Sequence, residues 1–208
     1  MNWFAKLWGP VARLFTPPAP STSDDLAAIE LAMELEPDEP EAVARARRFI
    51  GHGLYCLGAG GKDPKAADPW SSCAKPEHPR HAHHRGRVFS DCSGFVDWCY
   101  GWSRNDPKYG WRYCDAFVRD ALKDVPGDLG YAVTIDQCAE GDLVVYKSVD
   151  TDGDGARDLI GHVGIISKRG KTWREIRVIH CSGSGAVAVK ETDGRIWERR
   201  GVVFRIRH

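Results

Sequence analysis

A chain of 208 residues with 42% apolar and 28% charged side chains is long enough for one domain with a full core and too short for two large ones. Lysine plus arginine balance aspartate plus glutamate at 29 each. That balance argues against a dedicated nucleic-acid binder and against a polyanionic substrate held by bulk charge. Seven cysteines with no CxxC pair argue against a zinc ribbon or a thioredoxin-type pair, and their odd number leaves at least one thiol unpaired within a monomer.

In chain order, residues 1–15 set Trp3, Phe4, Leu7, Trp8, Val11, Leu14 and Phe15 at helical spacing, with Lys6 and Arg13 as the only charges among them. This is an amphipathic segment suited to a membrane surface, a protein partner or a return onto its own domain. Lys6, Pro10 and Arg13 interrupt it too often for a secretory signal, and no apolar run reaches the length of a membrane span. Synthesis in the cytoplasm, with mostly reduced thiols, is the expectation. Thr16 to Pro20 reads as a stiff proline-rich linker, so residues 1–20 form an appendage and 21–208 the main domain.

A helix is expected from Ser23, with Leu26, Ile29 and Met33 on one face and Glu36-Pro37 as its stop. Asp38 and Glu41 suggest a capping box for a second helix with Val43, Phe49 and Ile50 as apolar positions. Gly58-Ala59-Gly60-Gly61 reads as a flexible turn, and 62–89 as a long surface loop rich in Pro, His and Lys. An apolar helix is expected from Asp91 through Phe95, Val96, Trp98, Cys99 and Trp102, and another over roughly Arg112 to Lys123. Strands follow at Leu143–Tyr146, His162–Ile166, Ile176–His180, Ala186–Val189 and Val202–Ile206. Helices first and strands afterwards imply α+β, with helices packed on an antiparallel sheet of about five or six strands.

A thiol hydrolase needs a thiolate, a base beside it and a group that orients the base. Cys92 follows Ser90-Asp91 at the start of an apolar helix, where unpaired N–H groups and the helix dipole lower a thiol's pKa and can hold an oxyanion. A buried core cysteine is the plainer alternative. His162 opens one strand and His180 ends the next, so neighbouring antiparallel strands can set the two rings side by side.

Two further patterns involve metal-type ligands. Asp150, Asp152, Asp154 and Asp158 stand at positions 1, 3, 5 and 9 of a calcium-type loop, with Gly155 at 6 and the carbonyl of Ala156 at 7. Gly161 stands where such a loop carries its bidentate glutamate, yet the close aspartates repel one another without a cation, so a structural Ca2+ is the expected reading and a solvated hairpin turn the alternative. Cys73, His78, His81, His83 and His84 are zinc-type ligands, but their spacing fits no standard structural site, and a His-rich surface loop is the preferred reading.

Four stretches, in order, resemble the NlpC/P60 family over about residues 40–205: Asp91-Cys92-Ser93-Gly94-Phe95-Val96, Gly141-Asp142-Leu143-Val144, Gly161-His162-Val163-Gly164-Ile165 and Val178-Ile179-His180-Cys181-Ser182. The resemblance implies a papain-like fold with Cys92 as nucleophile, His162 as base and His180 as orienting residue. It further implies that Tyr55, Asp91 and Ser93 line the substrate subsite, and that no cofactor is needed for the chemistry. The implied activity is cleavage of an amide bond in peptidoglycan peptide at the bacterial cell wall, as in phage-type or virion-associated lysis enzymes. The alternatives are a CHAP-type amidase or an acyltransferase on the same scaffold, and a non-catalytic virion or tail component docked through residues 1–15.

Overall fold

A computed structural model describes residues 39–72, 88–106, 110–123, 129–150, 160–183 and 187–207. All of these belong to the unit Asp38–His208. The expected amphipathic segment, linker and first helix lie outside the described residues, as does the cluster Cys73 to His84.

Three helices are described: α1 (Glu41–Arg47), α2 (Cys92–Cys99) and α3 (Cys114–Lys123). The strands are β1 (Leu54–Tyr55), β2 (Ser71–Ser72), β3 (Val88–Ser90), β4 (Asn105–Asp106), β5 (Gly110–Trp111), β6 (Gly130–Val133), β7 (Leu143–Tyr146), β8 (His162–Lys168), β9 (Arg177–Cys181), β10 (Val189–Asp193) and β11 (Val202–Ile206). Six of them form one sheet in the order β10-β9-β8-β7-β11-β6, with every neighbouring pair antiparallel. The expected α+β class and the antiparallel sheet are therefore present.

Alternation along the strands sorts the sheet into two faces. Leu143, Val145, Val163, Ile165, Ile179 and Phe204 pack with Phe95, Val96, Trp98 and Phe117 of the helices. Val144, Ile166, Val178 and Val203 form a second core with Ile176 and Trp197. With both faces covered, the central strands read as continuous apolar runs. Helix α2 lies against β8 and β9, α3 against β6, β7 and β11, and α1 against α2 and β8.

Several expectations shift, each for a local reason. Helix α1 starts at Glu41 with Pro40 as its N-cap and no side-chain cap, so the Asp38/Glu41 capping box is not used; proline's fixed φ of −57° already sets the entry. Phe49 falls beyond the helix and lies edge-on to Trp70 and Trp98. Helix α2 stops before Trp102, because Gly101 adopts φ 66° and its N–H bonds back to Trp98 O. The Gly58 to Gly61 stretch is not a loose turn: Ala59, Gly60 and Gly61 are buried. A Cβ on Gly60 would lie 2.0 Å from Ser90 Oγ, and one on Gly61 would meet the backbone of Gly94. The 62–89 loop is broken by β2 and β3, which pair with each other, while β3 also pairs in parallel with β1.

Candidate active site

The first part of the site is set by a helix cap. Asp91 caps α2, its Oδ1 accepting from Gly94 N at 2.8 Å while Oδ2 accepts from Gly58 N at 2.7 Å. The cap fixes Cys92 as the first helical residue, with its sulfur at the positive end of the helix. Parallel pairing of Tyr55 with Ser90 brings Tyr55 beside this start.

On the sheet, β7 and β8 form a hairpin in which Tyr146 faces His162. The register of β8 with β9, Ile165 opposite Ile179, sets His180 across from Gly164 and diagonal to His162. Gly164 is the reason the rings can meet. A Cβ there would lie 2.5 Å from Val178 Cγ1 and 3.0 Å from His180 Cβ. With that space open, His162 Nε2 and His180 Nδ1 stand 2.7 Å apart. The ring of Trp197, fully buried, stacks on His162 at 5.5 Å and meets His180 edge-on at 5.3 Å.

The sulfur of Cys92 lies 3.8 Å from that of Cys114, within hydrogen-bond reach, and 3.9 Å from the carbonyl oxygen of Gly161, the residue before His162. Its pKa is held well below that of an ordinary thiol, first by the Cys114 hydrogen bond, then by the hydrogen bond and charge of His162 and the N–H of Val163, against the opposing effect of burial. The other four free cysteines, Cys99, Cys114, Cys138 and Cys181, have raised pKa values. For Cys99, Cys138 and Cys181 burial is the leading cause, and for Cys114 the hydrogen bond to Cys92 leads. Cys56 is disulfide-bonded. Cys92 is thus the one free cysteine among the described residues that is set up as a thiolate.

Burial, the charge of His162 and that of Lys190 lower the His180 pKa to about 3. The ring is neutral at physiological pH, with one N–H to place. If His162 Nε2–H donates to His180 Nδ1, the His180 proton sits on Nε2, 3.2 Å from Thr192 Oγ1. Thr192 then donates to Asp193 O at 3.1 Å, so the chain of bonds runs in one direction to the backbone.

This burial has a consequence for stability. An unfolded histidine titrates near about 6.5, so between there and about 3 the unfolded chain binds a proton that folded His180 refuses. Stability therefore rises with pH across that window; it is complete above about 6.5 and is lost as pH falls, by on the order of 5 kcal/mol at the limit. Urea midpoints measured from about pH 7 down to about pH 4 should fall in the wild type and fall less steeply in His180→Asn. Parallel slopes in the two proteins would show that His180 does not carry this dependence.

The expected subsite residues lie beside the sulfur and are tied together by a residue not expected from sequence. Arg104, buried, donates through Nη2 to Asp91 Oδ1 and Ser93 Oγ, each at 2.5 Å, and through Nη1 to Ala59 O at 2.9 Å. Burial and the charge of Cys92 push the Asp91 carboxyl up, while Arg104 and the N–H groups of Gly94 and Gly58 pull it down. Burial likewise raises the pKa of Tyr55, reinforced by Cys92 and Asp91, so its phenol stays protonated.

Asp142, in the Gly141-Asp142 pair, serves the fold, since its carboxylate accepts from Ala139 N and pairs with Arg205 of β11. Of the calcium-type loop, Asp150 alone is described, exposed at the end of the β7 side of the hairpin; Asp152, Asp154, Ala156 and Asp158 lie outside the described residues.

Sequence reasoning misses Cys114, Arg104, Thr192 and Trp197 as site residues. Cys114 carries a signal, since it opens a helix as Cys92 does. The others depend on long-range register that no local pattern encodes.

No family model matches the chain, and no curated protein matches it. Among solved structures, one described as similar to lipoprotein, NLP/P60 family, from Staphylococcus aureus subsp. aureus Mu50, matches at 19% sequence identity with a TM-score of 0.43, covering 86% of this chain. The chain spans 46% of that structure's chain.

Proposed function

We propose that this chain is a cysteine peptidase of the NlpC/P60 type that hydrolyses an amide bond in bacterial peptidoglycan peptide. The observation that carries the reading is the His162–His180 pair, bonded at 2.7 Å, beside a sulfur whose pKa the same His162 helps to lower, with His180 kept neutral. The ordered motifs around these residues support the substrate class.

In this reading the Cys92 thiolate attacks the scissile carbonyl, and first-turn N–H groups of α2 receive the oxyanion. With His162 Nε2 taken by His180, Nδ1 is the nitrogen left to serve the sulfur and the leaving amine. His162 protonates that amine, the amine departs, and a thioester remains on Cys92. His162 then takes a proton from water, which attacks the thioester and restores the thiolate and the free peptide acid. His180 holds the ring plane and tautomer throughout.

Asp91 and Ser93, already bonded to Arg104, form a preset polar wall of the subsite, and the Tyr55 hydroxyl adds a neutral donor. The chemistry calls on no cofactor, and a cation at the 150–158 loop would serve the hairpin that carries His162. Residues 1–15 would bring the enzyme to a membrane surface or protein partner near the wall. The reading is tested by incubating wall sacculi with the wild type and with Cys92→Ala and measuring the release of new amino groups.

A further inference from the structure

Two helices begin at the same place in this fold. Cys92 opens α2 and Cys114 opens the ten-residue α3, and their sulfurs lie 3.8 Å apart, within hydrogen-bond reach. Both side chains are buried in the same core.

The position of Cys114 is enforced from two sides. Asp115 Oδ1 accepts from Ser148 N at 2.7 Å, which ties the start of α3 to the β7–β8 hairpin. Gly161, just before His162, closes over it, since a Cβ there would lie 2.7 Å from Cys114 Cβ. The glycine that precedes the base is therefore also the residue that lets the second thiol approach the first.

Which sulfur carries the charge follows from the neighbours. Cys92 has His162 and the N–H of Val163 favouring the anion, which together outweigh the carbonyl of Gly161, 3.9 Å from the sulfur, that favours the thiol. Cys114 has the carboxylates of Asp115 and Asp91 near it and the Cys92 charge itself, all favouring the neutral thiol. A proton shared between the two sulfurs therefore stays on Cys114.

We infer that Cys114 is an accessory catalytic residue, a thiol whose S–H donates to the Cys92 thiolate and holds it ionised and aimed before substrate arrives. This rests on Cys92 being the activated nucleophile. It adds a neutral donor to the cation-like help of His162. When Cys92 attacks and its charge moves to the oxyanion, the S–H···S hydrogen bond from Cys114 weakens without any proton being transferred. The donor thus stabilises the resting thiolate, and its value lies in keeping that form populated at neutral and mildly acid pH.

The experiment uses protein labelled with carbon-13 at cysteine Cβ, in the presence of a phosphine reductant, and follows the Cys92 resonance with pH; Cys92→Ala assigns it. This readout needs neither peptidoglycan nor access of a reagent to the buried sulfur. In the wild type the Cys92 signal should titrate well below that of an ordinary thiol while the Cys114 signal stays that of a thiol. Cys114→Ala and the similarly sized Cys114→Val should each move the Cys92 midpoint up by about one pH unit or more, a tenfold loss of thiolate below it. Cys114→Ser, which restores a donor, should return it most of the way.

Unchanged midpoints in Cys114→Ala and Cys114→Val would overturn the inference, as would a Cys114→Ser curve that follows the alkyl variants. Should neither alkyl variant fold, the wild-type and serine spectra decide: Cys114 titrating before Cys92 overturns it. An ordinary midpoint for Cys92 in the wild type would instead sink the nucleophile reading itself, so the two failures are distinct.

Discussion

His162→Ala is expected to lower kcat/KM on peptidoglycan peptide by about 10²–10⁴-fold, the usual worth of a positioned acid–base. Two losses combine. The leaving amine has no proton donor, and Cys92 loses the hydrogen bond and charge that favour its thiolate. The variant should therefore also show its acid limb displaced to higher pH, since less of Cys92 is ionised at any given pH. His180→Asn should cost less, because an amide oxygen can still accept from His162 Nε2, the atom that His180 now engages. Steady-state rates across pH for both variants check the order. A His162→Ala enzyme within a few-fold of wild type would remove His162 from the mechanism.

Arg104→Ala should destabilise the fold by about 3–5 kcal/mol. Its guanidinium and the Asp91 carboxylate are 2% and 3% exposed, and removing the cation leaves a buried carboxylate with its strongest partner gone. Asp91 keeps the N–H groups of Gly58 and Gly94, so the helix cap survives in part. Asp97 worsens the balance. It is a buried carboxyl whose pKa burial pushes well up, and Arg104 is the largest influence pulling it back. For a domain of this size the change corresponds to a fall in melting temperature of about 10 °C. Arg104→Met should not rescue it, because apolar packing leaves Asp91 equally unpaired, whereas Arg104→Met with Asp91→Asn should recover part of the loss. A melting temperature within about 2 °C of wild type in Arg104→Ala would mean that the pair contributes little.

How much of the fold and site is legible in the sequence depends on how local each cause is. The start of α2 is legible because Asp91 is followed at once by the residues it caps. Strands β7 and β11 are legible because both faces of β7 are buried and the β11 run Val202 to Ile206 is mostly apolar. At the sheet edges the signal fails. Strand β10 covers Val189–Asp193; of the expected run, Ala186 lies outside the described residues and Val187 and Ala188 precede the strand, because an edge strand has no need of an apolar pattern and carries Lys190 and Glu191 instead. Strand β6, the other edge, is four residues led by a glycine and leaves no clear alternation. The pairing of His162 with His180 follows from strand adjacency, but the role of Gly164 in making it needs the register. Arg104 and Thr192 are invisible, because their importance comes from partners 13 and 12 residues away across the fold.

The most direct test of the central claim is mass spectrometry of the soluble products when intact bacterial sacculi are digested by the wild-type protein and by Cys92→Ala. The wild type should release peptide fragments that carry one new amino group and one new carboxyl group, together summing to the parent peptide plus one water. Cys92→Ala should release none of these, with its circular dichroism unchanged. Wall peptides left whole by the wild type, or the same fragments released by Cys92→Ala, would contradict that claim.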